Sequence, residues 1–238
     1  MTLLQNLRKQ HEQSKDFVGT VVNGTPIVPK GIIHVGGNIG EEAERYAQTG
    51  VDTVVWIEAV PESFQQLVKN VSPYHQVCIN ALILDVDDQP TKFYKNRVGS
   101  RINDHSYSSV YPINRSVEAI LPYYRVVQTL EEIELTSLTL PTCLEQHGLQ
   151  KDDYDFLSLN TQGSELRIVQ GMGEYLRQMK WVQSEVNPFN SISIYDGENT
   201  ALDLHSYMQK FGFKQYEIQH SFGGVVLYLN QDLMDSES

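Results

Sequence analysis

A glycine-punctuated turn, Gly36-Gly37-Asn38-Ile39-Gly40, follows the apolar run Gly31-Ile32-Ile33-His34-Val35. A second apolar run, Val54-Val55-Trp56-Ile57, ends in an acid, Glu58. Glycine lets backbone come close to a ligand, and a carboxylate about twenty residues further on can accept both hydroxyls of a ribose. The pairing is the pattern of a nucleotide-type cofactor held at the carboxyl edge of a parallel sheet. Each member also has a structural reading. A tight strand-to-helix turn needs glycine for its own sake, and Glu58 could cap the helix that Pro61 opens. The spacing between them favours the ribose role.

The residues after the turn narrow the ligand. Glu41, Glu42 and Glu44 open the following helix, where acids are poorly placed to cradle a pyrophosphate. The glycines also depart from Gly-x-Gly-x-x-Gly. S-adenosylmethionine fits better: free ribose hydroxyls, a sulfonium cation and no phosphate. Two further runs deliver polar groups to the same edge. Asp155-Phe156-Leu157-Ser158-Leu159 leads to Asn160, Gln162 and Gly163, and Trp181-Val182-Gln183-Ser184-Glu185-Val186 brings Glu185 and Asn187. His34, Asn38, Glu58, Asn160 and Glu185 thus converge from four strand ends.

Group transfer from such a cofactor is driven mostly by alignment of donor and nucleophile, and a base helps by removing the nucleophile's proton. Asp104-His105-Ser106-Tyr107-Ser108-Ser109 offers His105 as that base; the alternative is a solvated loop histidine. Glu185 is the second candidate. His34 reads as a hydrogen-bonded structural group rather than a base. Tyr107, Tyr111, Tyr123 and Tyr124 either wall an acceptor site or anchor a loop to the core. His75, His147, His205 and His220 share no metal-ligand spacing, and no metal is expected.

The elements that must hold these groups follow from hydrophobic patterning. Strands at 31–35, 53–58 and 77–84 alternate with helices at 41–49 and 61–70; Pro61 and Gly50 supply start and stop signals. Further strands are expected at 155–159 and 181–186, with helices at 164–178 and 200–211. Segments 213–218 and 224–229 read as an antiparallel pair. Continuous Val/Ile strands separated by helices imply an α/β, Rossmann-like, mostly parallel sheet with an antiparallel C-terminal strand and helices on both faces. Residues 1–30 form an N-terminal extension, with a short amphipathic helix over 1–16 (Leu3, Leu4 and Leu7 on one face) and a hairpin around Asn23-Gly24. Residues 31–230 form the main domain, with a possible short strand over Thr91–Tyr94. From 97 to 122 the periodicity fails, as in a functional loop.

The chain has 238 residues, 18 basic and 30 acidic, for a net charge of −12. Such acidity argues against nucleic acid and anionic membranes as partners and suits a small neutral or cationic ligand. Cys78 and Cys143 lack paired spacing. Residues 1–13 carry no apolar signal-peptide core, and no segment approaches the ~20 apolar residues of a membrane span. A cytoplasmic location is expected; the oligomeric state, a homodimer included, is left open.

The ordered motifs His-Val-Gly-Gly-Asn-x-Gly-Glu-Glu, Trp-Ile-Glu-Ala-x-Pro, Asn80-Ala81, Asp-Phe-Leu-x-Leu-Asn-x-Gln-Gly-x-Glu and Glu-Val-Asn resemble the FkbM-type methyltransferases, over about residues 30–230. The resemblance implies a class I methyltransferase fold, S-adenosylmethionine as cofactor, and O-methylation of a saccharide or small natural product. It assigns Gly36, Asn38 and Gly40 to the methionine part, Glu58 to the ribose, and Ala59 and Ala81 to the adenine. Gly37, Asn80, Gln162 and the serines Ser108 and Ser109 fall in the same cofactor-lining stretches. Four positions depart from the family. Gly37 replaces the commoner Ala. His34 stands where Asp is common. Asn160 also replaces an Asp, removing a carboxylate that magnesium would need. Pro141 sits where an Asp often opens a helix. These departures keep a non-catalytic binding module open as an alternative, beside a nucleotide-dependent oxidoreductase or epimerase.

Overall fold

The computed structural model describes residues 17–22, 24–99, 105–187, 193–219 and 224–235. The helix expected over 1–16, Asn23, Asp104 and His220 lie outside the described residues. Strands β1 (Val21–Val22) and β2 (Thr25–Pro26) pair antiparallel around Asn23-Gly24. The apolar runs then build the main sheet: β3 (Gly31–Val35), β4 (Thr53–Glu58) and β5 (Val77–Asn80). It is completed by β9 (Phe156–Leu159), β10 (Trp181–Val186), β11 (Phe213–Gln219) and β12 (Gly224–Asn230). The order is β11-β12-β10-β9-β3-β4-β5. β3 pairs in parallel with β4 and β9, β4 with β5, and β9 with β10, while β12 runs antiparallel to both β10 and β11. This is the expected mostly parallel sheet with its antiparallel C-terminal strand.

Both faces of the sheet are covered, which is why its strands are apolar at successive positions. Ile32, Val54, Trp56 and Phe156 face α1 (Ala43–Gln48) and α2 (Pro61–Val71) through Ala43, Tyr46, Leu67 and Val71. Ile33, Val35, Ile57, Leu157 and Leu159 face α3 (Leu140–Gln146), α4 (Glu165–Met172) and α5 (Ala201–Lys210). Each fully buried side chain of this kind contributes roughly 1.5–3 kcal/mol relative to exposure. A short α6 (Gln231–Asp235) ends the described chain. Pro61 opens α2, and Thr200 and Asp203 form a reciprocal capping box for α5. Among the described residues no helix is long and apolar enough to cross a membrane.

Three expectations change. The strand expected over 77–84 stops at Asn80, opposite Glu58, the last residue of β4; Leu82–Ile83 becomes β6 of a second sheet. The helix expected to reach 178 is α-helical to Met172 and continues as a 3₁₀ turn, Gly173–Gln178, after Gly173 adopts φ +52°. The strand near Thr91 is longer, β7 (Pro90–Val98), and pairs antiparallel with the unanticipated β8 (Val127–Leu138). β6, β8 and β7 make the second sheet.

The aperiodic segment is therefore the far end of a long β insertion. Two 3₁₀ turns, Arg115–Ala119 and Pro122–Val126, lie within it. Single bridges Tyr94↔Ser109 and Ile113↔Tyr195 fasten it to β7 and to the loop after β10. Lys95, beside a bulge in β7, reaches Glu62 of α2 at 2.7 Å and Glu131 of β8 at 3.0 Å. That buried ammonium ties the insertion to the main domain.

Candidate active site

The strand order reverses at β3, which has β4 on one side and β9 on the other. A ligand crevice belongs at the carboxyl ends of those strands. The Gly36 and Gly37 N–H groups both donate to the Ile57 carbonyl, at 2.9 and 3.1 Å, so the turn folds back over the end of β4. Gly36, at φ +82°, lies so close to the exit of β9 that a Cβ there would sit 2.0 Å from the Asn160 carbonyl oxygen. Gly37 packs on the Trp56 ring and Gly40 on Leu67 and Val71, with no room for a side chain at Gly40. The structural reading of the glycines is thus realised at Gly37 and Gly40, while Gly36 brings two backbones together at the switch point.

Glu58 ends β4 inside this turn. Its Oε2 accepts the Asn38 N–H and its Oε1 the Val60 N–H, both at 2.7 Å. Asn38 takes φ +44°, an uncommon conformation that asparagine tolerates. Val60 precedes Pro61, so Glu58 also steadies the entry to α2. Burial pushes the Glu58 carboxyl up to about 7, against the opposing pull of the backbone N–H groups.

A second polar cluster forms at the exits of β9 and β10. Gln162 adopts φ +56° and is bracketed by Glu165, whose Oε1 accepts the Thr161 N–H at 2.9 Å and Oε2 the Gly163 N–H at 3.0 Å. The Gln162 Nε2 donates to Asn160 Oδ1 at 2.7 Å and to Glu185 Oε2 at 3.0 Å. The Tyr195 hydroxyl donates to Gln162 Oε1 at 2.9 Å. From the insertion, the Ser109 hydroxyl donates to the Gln162 carbonyl at 2.7 Å and accepts the Tyr111 N–H at 3.0 Å. Burial is the largest influence holding Glu165 up at about 7, and Glu185 adds repulsion. Burial also drives Tyr195 well above the usual phenol range.

The remaining expected residues have other surroundings. His34, expected at the carboxyl edge, instead buries its ring on the face of β3 that α1 covers, stacked on Trp56 at 4.7 Å with Nδ1 3.1 Å from the Tyr46 hydroxyl. Asn80 Nδ2 donates to the Glu58 and Ala59 carbonyls, at 2.7 and 3.2 Å. Ala59 packs beside Val60 and Leu82, and Ala81 against the larger core. His105 and Ser108 converge on Asn96, which is fully buried in β7. His105 Nδ1 lies 3.2 Å from the Asn96 carbonyl, and Ser108 Oγ accepts the Asn96 N–H at 3.0 Å. These contacts hold the insertion together. Tyr107 and Tyr124 pack edge to face, and Tyr111 lies against Gly163 and Gly197.

Sequence reasoning did not single out Glu165, Tyr195 or Glu198. Glu198 Oε1 accepts Asn187 Nδ2 at 2.9 Å and the Ile194 N–H at 2.6 Å, closing the loop after β10. Glu165 had a signal, since it ends the Gln-Gly-x-Glu motif. Tyr195 and Glu198 had none, lying in an aperiodic stretch. Among the described residues no group of three or more His, Cys, Asp or Glu is arranged to hold a metal ion.

The chain matches the family described as methyltransferase FkbM domain over residues 34–229. No curated protein matches it significantly. Similar solved structures include magnesium protoporphyrin IX methyltransferase (ChlM) from Synechocystis PCC 6803 with bound SAH, at 8% identity, TM-score 0.49, covering 97% of this chain and 88% of that one. Another is the ribosomal protein L11 methylase of Lactobacillus delbrueckii subsp. bulgaricus, at 8% identity, TM-score 0.43, covering 84% and 70%. A third is M. capricolum TrmK in complex with S-adenosyl-homocysteine, at 7% identity, TM-score 0.42, covering 84% and 62%. The strand order of this chain, rather than these distant likenesses, defines its fold.

Proposed function

The chain belongs to the FkbM methyltransferase family, and from that premise we propose that it methylates a hydroxyl group on a saccharide or small natural-product acceptor. S-adenosylmethionine is the cofactor, and when bound it supplies an electrophilic methyl group on a sulfonium. The residues present fit it. Glu58 has used two of its roughly four acceptor positions on backbone N–H groups, which leaves capacity on both oxygens for vicinal ribose hydroxyls. Thr161 Oγ1 is buried without a hydrogen-bond partner next to Gly36, a polar atom suited to a polar ligand. Glu58, Glu165 and Glu185 make the edge rich in carboxyl groups, which suits a ligand with hydroxyls and an amino group. In this reading Gly36, Asn38 and Gly40 border the methionine part, Glu58 holds the ribose, and Ala59 and Ala81 flank the adenine.

Glu185 is the proposed general base. The observation that carries this is its hydrogen bond from Gln162 at the carboxyl edge of β10, beside the β9 exit. A carboxylate fixed there can take the acceptor's hydroxyl proton as the oxygen becomes nucleophilic. His105, the other candidate, is engaged with Asn96, and Ser108 and Ser109 brace the insertion and Gln162. Tyr107, Tyr111 and Tyr124 supply aromatic faces for an acceptor ring. The acidic balance supports a small acceptor over nucleic acid, and the unpaired thiols Cys78 and Cys143 support a reducing, cytoplasmic compartment. The test has two stages. Calorimetric titration with S-adenosylmethionine and its demethylated product should show micromolar binding, with none for NAD. Release of S-adenosylhomocysteine is then followed over a panel of hydroxylated and aminated saccharides and phenols. Turnover on amines alone overturns the O-methyl reading. A second reading, a binding module without chemistry, is favoured by Asn160 in place of a carboxylate; binding without turnover on any acceptor supports it.

A further inference from the structure

We propose that Gln162 and Tyr195 form a reversible hydrogen-bond relay that keeps Glu185 paired whether it is ionised or protonated. The inference rests on the reading of Glu185 as the base. A carboxylate accepts only, so an ionised Glu185 requires the NH₂ end of the Gln162 amide, which lies 3.0 Å away. The amide oxygen then points at Tyr195, and the phenol donates to it at 2.9 Å. Tyr195 has a second acceptor in reach: the Tyr107 carbonyl, 3.2 Å from the same hydroxyl. One hydroxyl hydrogen serves one of the two at a time.

That second acceptor, whose other lone pair takes the Asn96 side-chain amide at 2.6 Å, is what makes the chain reversible. When the acceptor hydroxyl loses its proton, the oxygen keeps the electron pair for its new bond and the proton comes to rest on Glu185. Protonated Glu185 is a donor. It can donate to the Gln162 amide oxygen once the amide turns over. The NH₂ end then donates to the Tyr195 oxygen, and the Tyr195 hydrogen moves to the Tyr107 carbonyl. Asn160, the other partner of Nε2 at 2.7 Å, follows by turning its own amide. The proton passes from Glu185 to solvent, and the chain reverts. In both end states Glu185, the Gln162 amide oxygen and the Tyr195 hydroxyl keep a partner, whereas an unpaired buried group would disfavour one form by about 1–3 kcal/mol.

The backbone prepares this arrangement. Gln162 is held at φ +56° by the two N–H bonds to Glu165 on either side and by the Ser109 hydroxyl on its carbonyl. A non-glycine residue in that conformation carries strain that its surroundings must over-determine. The titratable groups around the pair are Glu165 from α4, Glu198 from the loop after β10, and Tyr107 and Tyr124 from the insertion, which face Tyr195. Burial keeps Tyr195 protonated throughout the working range, so it relays hydrogen-bond direction without ionising.

The test is a carbon- and nitrogen-detected NMR titration of the full chain between pH 4 and 9, which needs no acceptor. Probes are the Glu185 carboxyl carbon (assigned with Glu185→Gln), the Gln162 side-chain amide and the Tyr195 Cζ. All three should move with one midpoint in the wild type. In Gln162→Asn, whose side chain is too short to bridge and which tolerates positive φ, the Glu185 midpoint should rise, since the ionised form loses its donor, and the Tyr195 response should vanish. Gln162→Met, which keeps the length without the amide, serves the same purpose if the first variant does not fold. A flat Tyr195 response in the wild type, or one that survives both substitutions as a mere field effect, overturns the relay. Full methyl transfer by Glu185→Gln would instead overturn the base reading, while leaving the measured relay standing.

Discussion

Glu58→Gln makes the strongest test of how the cofactor edge is built, because it changes charge with little change in shape. The carboxyl is buried and pushed up from 4.5 to about 7. A shift of about 2.5 units at roughly 1.36 kcal/mol each is on the order of 3 kcal/mol. Its sign follows from proton counts. Between pH 4.5 and 7 the unfolded chain has lost this proton and the folded chain retains it, so wild-type stability falls as pH rises through that window. Below about 4.5 the penalty is absent; above about 7 it is fully present. Glu165, also at about 7, adds a similar slope that the variant keeps. The amide loses one of the two N–H bonds now made to Asn38 and Val60, a pH-independent loss of about 1–3 kcal/mol. Urea unfolding of both proteins at pH 5, 6, 7 and 8 should therefore show the variant gaining about 2.5 kcal/mol relative to wild type across the series, because a little under about 1 kcal/mol of the penalty is already present at pH 5. A difference that stays constant within about 0.5 kcal/mol would refute the reasoning, since it would mean Glu58 titrates alike in both states.

Three further outcomes are expected. Glu58→Ala should weaken S-adenosylmethionine binding by about 1–3 kcal/mol in calorimetry if its carboxylate holds the ribose; unchanged affinity removes it from the site. Gly36→Ala should destabilise the fold by about 3 kcal/mol or more, because its Cβ meets the Asn160 carbonyl at 2.0 Å. Gly50→Ala, at φ +78° with nothing within 4 Å, should lose only about 1–2 kcal/mol; equal losses at the two sites would deny the special role of the Gly36 approach. Once an acceptor is found, Glu185→Gln should lower turnover about 100-fold or more with cofactor affinity intact. His105→Ala should remain near wild type, and the reverse pattern would transfer the base role to His105.

Much of this was legible in the chain. Strands β3, β4 and β10 appear as apolar runs because both their faces are buried, and polar residues at or just past their carboxyl ends, Asn38, Glu58 and Asn187, were legible with them. Strand β8 was not legible. Its Glu131, Glu132 and Glu134 are exposed and of a type depleted in strands. Its partner β7 lies across more than twenty intervening residues of irregular chain. Glu58 was identified from spacing, and its bonds to the Asn38 and Val60 N–H groups show the structural role, the bracing of the glycine turn and of the entry to α2. His105 illustrates the limit in the other direction. A histidine in a Ser/Tyr loop reads as chemistry, whereas its fully buried partner Asn96 leaves no trace in local pattern. Tyr195 was invisible for the same reason: its relation to Gln162 spans 33 positions.

The insertion leaves and re-enters the domain at neighbouring points, since Leu82 pairs with Ser137 and Ile83 with Leu138. Its two ends are thus closed onto each other before any of the hairpin between them is considered. Lengthening or shortening the stretch between β7 and β8 changes loop-closure entropy only slowly, by about 0.6 kcal/mol per doubling, and disturbs no register in the seven-stranded sheet. The insertion can accordingly be remodelled as a cassette, while the glycine turn and Glu58 stay as they are.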